Sequence, residues 1–290
     1  MENTGHIDLR RAACYTPYVQ LFAIWDDARL WKEPGEANAR FRSLMRTAES
    51  EFEKNQDSIV FCKTADALRC AVDEKKNAAL LMVEGAELLG DAPDALDDAF
   101  RLGVKAVTIT WNHENAYGCP ASVDQKKGLT ERGRELIGAL ESRRMLVDVS
   151  HLSERGFWDV AECAARPFIA THSNARAVCG HRRNLTDEQI CHLIRTGGIC
   201  GVNLYDAFVK DGGGARIADV LRHIEHILAL GGEHVLAMGG DLDGCETLPE
   251  GIGGVQDVQK IYTETEKAFG RAIADAVFFD NMYRFFCQQI

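Results

Sequence analysis

The sequence predicts an α/β protein of the (β/α)₈ TIM-type barrel class. Strand-like apolar runs alternate with helix-like segments along the 290 residues, and this alternation is typical of parallel strands joined by right-handed crossovers. Eight candidate strands in a chain of this length favour a barrel over a doubly wound sheet. No strand is followed by a GxGxxG turn, which removes the usual reason to prefer a dinucleotide-binding fold.

Four predicted strands and the helices between them occupy the first half of the chain. Short apolar runs bounded by turn residues indicate the strands, and longer charged or amphipathic stretches indicate the helices. Leu136, Ile137 and Leu140 share one face of the last of these helices. In chain order the segments are strand 18–25, helix 37–54, strand 58–62, helix 64–73, strand 80–83, helix 94–102, strand 106–110 and helix 130–144.

The second half of the chain has clearer helix start and stop signals. Ser153 is a good N-cap residue for a helix, and Thr186 with Gln189 matches a capping box. Gly197 follows the helix that begins at Thr186, and Gly231 follows the helix at 217–230; glycine commonly ends a helix. The remaining segments are strand 145–150, strand 167–171, strand 199–204, helix 217–230, strand 235–240, helix 255–269 and helix 271–286.

Composition excludes several classes of partner. The chain has 44 acidic and 33 basic residues and a net charge of −11, which disfavours binding to nucleic acid or to an anionic membrane. Its ten cysteines form no CxxC pair, and several lie inside apolar runs, as expected of buried thiols in a reducing cytosol. The N-terminus resembles no secretory leader, and no apolar run reaches the ~18 residues of a membrane span. We therefore predict a cytoplasmic location.

Four potential metal ligands directly follow strand-like runs. They are Glu84, His151, His172 and Asp241. An α/β barrel gathers its strand ends on one face, where its chemistry takes place. Two neutral imidazoles with carboxylates suit a hydrolytic divalent metal, most simply zinc. The pattern therefore predicts a metal site built from residues far apart in sequence.

Each of these residues also has a structural interpretation. Glu84 could cap a helix or join an ion pair, since a carboxylate after four apolar residues needs a partner. A single histidine at a strand end is usually a satisfied polar residue. However, His151 and His172 are 172 − 151 = 21 residues apart, which fits one strand, one helix and the next strand. For Asp243, which competes with Asp241, the favoured role is to accept hydrogen bonds from loop N–H groups.

Other polar groups follow predicted strands. Arg183, in the segment His181-Arg182-Arg183-Asn184, could hold a substrate carboxylate. Taken by itself, however, the segment favours a pair of surface arginines. The segment 111–115 could line a pocket. His223, His226 and His234 are interpreted as surface residues.

The segment His6-Ile7-Asp8 has the His-x-Asp form of a binuclear metal motif, but no apolar strand precedes it. We therefore do not expect it to act as a strand-end metal ligand pair.

Several segments together resemble the membrane (renal) dipeptidase family of zinc metallopeptidases, which have an amidohydrolase-like (β/α)₈ barrel. The resemblance runs from about residue 5 to the C-terminus. Its most specific segments are Val83-Glu84-Gly85, Val147-Asp148-Val149-Ser150-His151-Leu152-Ser153, Thr171-His172-Ser173-Asn174, Arg182-Arg183-Asn184-Leu185 and Gly239-Gly240-Asp241-Leu242-Asp243-Gly244.

The resemblance implies roles for these residues. Glu84 would bridge two zinc ions. His151 and His172 would also bind one of these ions, and Asp241 would lie near the other. Glu84 and Asp241 would then be both metal ligands and catalytic residues, and a water between the metals would attack the peptide carbonyl. The substrate-binding residues would be Arg183, for the substrate carboxylate, with Asn112 and Tyr205. The family also suggests a homodimer.

The chain departs from the family at two places. Trp111 stands where some members have an oxyanion-stabilising histidine, which leaves that role vacant or passes it to a metal, Asn112 or His113. The segment 5–11 resembles the part before the second barrel strand, so we expect the first strand, with its His-x-Asp pair, to be missing. The strand at 58–62 would then be accessory, leaving a single domain, 1–290, as an N-terminally truncated barrel with seven strands.

The sequence thus predicts a zinc-dependent dipeptidase acting on small dipeptides, with one or two Zn²⁺ ions. One alternative is another amidohydrolase acting on a lactone, an ester or a cyclic amide. A lysine as the bridging ligand would have favoured that alternative, whereas Glu84 speaks for the dipeptidase. The other alternative is a truncated chain with impaired metal binding and little activity, because Glu84 and Asp241 alone would hold the second ion poorly.

Overall fold

The computed structural model describes residues 3–31, 35–90 and 94–290. The strands are β1 Val19–Ile24, β2 Ile59–Phe61, β3 Asn77–Glu84, β4 Val104–Thr108, β5 Leu146–Asp148, β6 Ile169–Ala170, β7 Ile199–Asn203 and β8 Leu236–Gly240. The α-helices are α1 Leu9–Ala12, α2 Glu36–Lys54, α3 Ala65–Asp73, α4 Ala95–Leu102, α5 Glu131–Ser142, α6 Glu154–Cys163, α7 Asp187–Thr196, α8 Asp206–Val209, α9 Ile217–Ala229, α10 Val258–Phe269, α11 Arg271–Asp275 and α12 Asn281–Gln289.

The chain divides into two compact units. One comprises Thr16–Arg166 with Phe286–Ile290, and we call it the β1–β5 unit. The other comprises Met1–Tyr15 with Pro167–Phe285, and we call it the β6–β8 unit.

The β1–β5 unit is built around strand β3. All of its neighbours are parallel to it: β1 pairs along Ala78–Val83, β2 along Asn77–Ala79 and β4 along Leu81–Glu84. Strand β5 pairs in parallel with β4. Six consecutive residues of β3 are buried, as expected of a parallel strand whose two faces are both covered.

Helices of the β1–β5 unit cover its sheet with their apolar faces. The face predicted for α5, with Leu136, Ile137 and Leu140, is buried. Phe41 and Met45 of α2 are among the largest fully buried side chains. Burial of each such side chain contributes roughly 1.5–3 kcal/mol, so the helices hold the strand ends in place through packing.

The β6–β8 unit contains three parallel strands, in which β7 pairs with both β6 and β8. Two glycines face each other in this ladder. A Cβ atom added to Gly201 or to Gly239 would overlap the carbonyl oxygen of Thr171. The sequence therefore needs glycine on β7 and β8 for these strands to pass the end of β6 so closely.

Most predicted elements are confirmed. Most strands are shorter than predicted, whereas β3, predicted at 80–83, is longer and spans Asn77–Glu84. All eight predicted strands are present, and 106–110 is observed at Val104–Thr108. The accessory role of 58–62 is confirmed because β2 pairs with β3 off the main path of the sheet. Among the described residues, four other strands then remain in the β1–β5 unit and three in the β6–β8 unit, which makes the seven expected.

Helix boundaries follow local signals, with one exception. The capping box of α7 is confirmed, since Thr186 and Gln189 each accept a hydrogen bond from the other's backbone N–H. The single helix predicted at 271–286 is wrong in detail. It is divided into α11, a π-helical turn at Ala276–Asp280 and α12.

All ten cysteines are free thiols. Cys62, Cys119, Cys179, Cys200 and Cys245 are buried, as predicted from their apolar surroundings. Burial raises the pKa of Cys200 to about 12, so this thiol remains protonated and behaves as a small apolar side chain.

Across residues 3–31, 35–90 and 94–290, no helix combines the length and the apolar character needed to cross a lipid bilayer.

Candidate functional site

Glu84 is the last residue of β3. It follows the buried run of this strand, and its side chain is 14% exposed. Gly85 comes next with φ +90°, a conformation that glycine adopts at little cost. The strand thus delivers a carboxylate to its carboxyl end and the chain turns away immediately.

His151 lies three residues beyond β5 and is buried. Its backbone has φ +69°, a region that non-glycine residues seldom occupy and that is often found at functional sites. The preceding turn is held by Asp148, which accepts hydrogen bonds from the Ser150 N–H at 3.0 Å and the Thr108 hydroxyl at 2.8 Å. Packing and hydrogen bonds therefore keep His151 in a strained conformation.

Glu84 and His151 face each other. The Oε1 atom of Glu84 is 2.9 Å from Nε2 of His151. Zinc bonds to carboxylate oxygen and imidazole nitrogen are about 2.0–2.2 Å long, so two donor atoms at this separation can bind one ion. The other ring nitrogen of His151, Nδ1, is 3.0 Å from Oδ1 of Asn112.

His172 follows β6 and is also buried. Its Nδ1 atom is 2.8 Å from the hydroxyl oxygen of Thr171. The backbone oxygen of His172 accepts a hydrogen bond from the side chain of Asn203 at 3.4 Å. Like His151, this histidine has Nδ1 engaged by a neighbouring polar side chain, which makes Nε2 the natural metal-binding nitrogen.

Asp241 follows β8 with φ +60°. Its Oδ2 atom accepts a hydrogen bond of 2.9 Å from Nδ2 of Asn203. A Cβ atom on Gly244 would overlap Oδ1 of Asp241, so glycine is needed for the loop to fold over this carboxylate. Asn203 thus contacts the segments that carry two predicted ligands, His172 and Asp241.

Asp243 has the role favoured for it from sequence. It accepts a short hydrogen bond from the backbone N–H of His6, and its own N–H donates to Nδ1 of His6 at 3.1 Å. Asp8 is the N-cap of α1 and accepts from the backbone and side chain of Arg11. His6 and Asp8 therefore stabilise a loop and a helix start, and neither lies on a strand.

Arg183 is buried, at 5% exposure, so its interpretation as a surface residue is wrong. Its guanidinium carbon is 5.3 Å from the centre of the Phe208 ring, a cation–π arrangement. Phe208 also lies 4.8 Å from the half-buried ring of Tyr205. Two predicted substrate-binding residues, Arg183 and Tyr205, thus share one aromatic neighbour.

Two aromatic rings of the loop after β4, Trp111 and His113, contact each other, and Trp111 also contacts Trp25. The Trp111 ring centre is 4.7 Å from that of Trp25 and 5.3 Å from that of His113. The loop also contains Asn115, whose side-chain amide donates a hydrogen bond of 2.5 Å to the carboxylate of Glu87. Glu87 is half-buried, and burial raises the pKa of its carboxyl group. Sequence reasoning missed Glu87, because no strand-end pattern marks it.

His223 is fully buried, so its interpretation as a surface residue is wrong. Its Nε2 atom donates to the Val209 carbonyl at 2.9 Å, and Nδ1 accepts from the Ala175 N–H at 3.2 Å. Burial lowers its pKa. Ile224 and Ile227 share its helix face, a signal that could have revealed this. His226 is half-buried and His234 is exposed.

Comparison with known proteins identifies the family of this chain. The model of the membrane dipeptidase family, peptidase family M19, matches residues 1–289. The chain belongs to this family. It is therefore an enzyme of the metallo-dipeptidase class, and the family resemblance seen in the sequence is confirmed.

Similar proteins support this assignment. An uncharacterized protein from the pqqA 5′ region of Klebsiella pneumoniae is 35% identical over 231 residues, 76% of this chain and 84% of the relative. The crystal structure of a metallo-dipeptidase of family M19 matches with a TM-score of 0.91 and 27% identity, covering 99% of this chain and 90% of its own. A metallopeptidase from Rhodobacter sphaeroides, liganded with a phosphinate mimic of the dipeptide L-Ala-D-Ala, matches with a TM-score of 0.88 and 25% identity, covering 99% and 91%. These matches confirm the predicted α/β fold of the TIM-barrel type lacking a strand.

Proposed function

We propose that this enzyme hydrolyses small dipeptides with a free C-terminal carboxylate by means of zinc held by Glu84, His151 and His172. The observation that carries the proposal is the 2.9 Å separation of Glu84 Oε1 and His151 Nε2 at two strand ends. One carboxylate and two imidazoles are a donor set that can hold a metal ion, and zinc prefers such ligands.

The bound metal would polarise the peptide carbonyl and lower the pKa of a water molecule. Asp241, held by Asn203, would accept a proton from the attacking water and pass it to the leaving amine. Arg183 would pair with the substrate carboxylate through two parallel hydrogen bonds. A second zinc ion would use Glu84 and Asp241, and we expect it to bind more weakly than the first because fewer protein ligands hold it.

Substrate choice is proposed from the relatives. The Rhodobacter sphaeroides metallopeptidase was liganded with a mimic of L-Ala-D-Ala, so dipeptides with a C-terminal D-residue belong in the test together with ordinary L,L-dipeptides. A cytoplasmic location and a homodimer remain predictions from the sequence.

The test is metal removal and reloading. The purified protein is stripped with a chelator, reloaded with Zn²⁺, and assayed against a panel of dipeptides, lactones, esters and cyclic amides, while bound metal is counted by elemental analysis. We expect dipeptide hydrolysis to disappear on stripping and to return with zinc. His151→Ala should abolish the returning activity.

The control is His234→Ala, which removes an exposed histidine and should leave hydrolysis unchanged. If the zinc-loaded protein cleaves no dipeptide but opens a lactone, ester or cyclic amide, the dipeptidase proposal is rejected in favour of another amidohydrolase. If it binds no zinc, the metal site itself is rejected.

A further inference from the structure

Asn112 has a contact that its predicted role in substrate binding does not use. Its side-chain oxygen Oδ1 is 3.0 Å from Nδ1 of His151. An amide oxygen can only accept a hydrogen bond, so this contact places the imidazole proton on Nδ1. The other ring nitrogen, Nε2, faces Glu84 and is the one left to bind a metal ion.

One short segment holds both partners of this contact. The Ser122 hydroxyl donates to the backbone oxygen of Asn112 at 2.8 Å, and the adjacent Ala121 N–H donates to the backbone oxygen of His151 at 2.8 Å. Asn112 and His151 are 39 positions apart in sequence, but both are hydrogen-bonded to consecutive residues of one loop. This arrangement fixes the distance between the amide and the ring before any ligand binds.

We propose that Asn112 is a positioning residue that fixes the tautomer and the ring orientation of His151, so that Nε2 can bind the metal. The proposal rests on the proposed metal site. It gives Asn112 a role toward the metal-binding His151 instead of toward the substrate. A hydrogen-bonding partner of a metal-binding histidine typically contributes about 10–100-fold to metal affinity or activity.

Three variants test the role of Asn112. Asn112→Leu keeps a similar volume and removes the acceptor, whereas Asn112→Asp keeps an acceptor oxygen. Glu114→Leu is the matched control, because Glu114 is an exposed residue of the same loop. Zinc affinity is measured by competition with a chromogenic chelator. Long-range ¹H–¹⁵N NMR correlations of the metal-free protein show whether Nδ1 of His151 carries a proton.

We expect Asn112→Leu to weaken zinc binding by about 10–100-fold, and we expect Nδ1 of His151 to lose its proton in this variant. Asn112→Asp should restore both properties, and Glu114→Leu should match the wild type. A Leu variant that binds zinc as tightly as the wild type would reject the role of Asn112 while leaving the metal site intact. Failure of the wild-type protein to bind zinc would instead reject the proposed function, and the NMR spectra would still report the tautomer.

Discussion

At the scale of single residues, neutral amides do much of the positioning. Asn203 is fully buried, donates to Asp241, and accepts the Tyr205 N–H at 2.6 Å through Oδ1. Its own N–H donates to Oδ1 of Asn174 at 2.9 Å. Buried amides are costly unless their polar atoms are paired, and here the pairing connects residues on three loops of the β6–β8 unit.

His223 should make stability depend on pH. Burial lowers its pKa in the folded protein, whereas the unfolded chain keeps a value of about 6.5. The unfolded state therefore binds an extra proton below that pH, and the contribution of neutral His223 is lost as the pH falls from about 6.5 toward the folded pKa. A one-proton difference gives a slope of about 1.4 kcal/mol per pH unit.

The check is urea unfolding of wild type and His223→Gln between pH 5 and pH 8. Glutamine offers a donor and an acceptor but does not titrate, so the variant should show a shallower loss of unfolding free energy on acidification. His234→Gln, at an exposed site, should keep the wild-type slope. Equal slopes for all three proteins would contradict the prediction.

At the scale of elements, one helix contains two glycines in opposite environments. Gly133 and Gly138 both lie in α5. A Cβ atom on Gly133 would overlap the carbonyl oxygen of Tyr117, whereas one on Gly138 would meet no atom within 4 Å. The first glycine permits close packing of the helix start, and the second only adds flexibility to the unfolded chain.

Alanine substitutions should therefore have opposite signs. Gly138→Ala should raise the free energy of unfolding by about 0.5–1 kcal/mol, since alanine favours the helix and restricts the unfolded state. Gly133→Ala should lower it, because the helix or the Tyr117 loop must move. Urea midpoints of the two variants, measured under the same conditions, provide the comparison. Stabilisation by both substitutions would mean that the Tyr117 contact imposes no constraint.

At the scale of the whole molecule, the proposed metal site should couple metal binding to stability. Glu84, His151 and His172 are distant in sequence, so the unfolded chain does not present them as one site. A ligand that binds only the native state stabilises it by about 2.7 kcal/mol at a concentration 100 times its dissociation constant.

Thermal unfolding should therefore shift upward with added Zn²⁺ and downward with a chelator. The shift should vanish in Glu84→Gln and persist in Glu114→Gln, whose carboxylate is exposed. A melting temperature independent of zinc in the wild-type protein would argue against a metal site formed by folding.

The sequence by itself determined the local features: the apolar run that ends at Glu84, the capping box of α7, the buried face of α5 and the family to which the chain belongs. These depend on neighbouring residues, whose periodicity is visible in the printed order. The tertiary structure decided the burial of Arg183 and His223, the break in the C-terminal helix, and the contacts of His151 with Glu84 and Asn112. Such contacts join residues 39 or more positions apart, and side-chain packing sets them rather than sequence spacing.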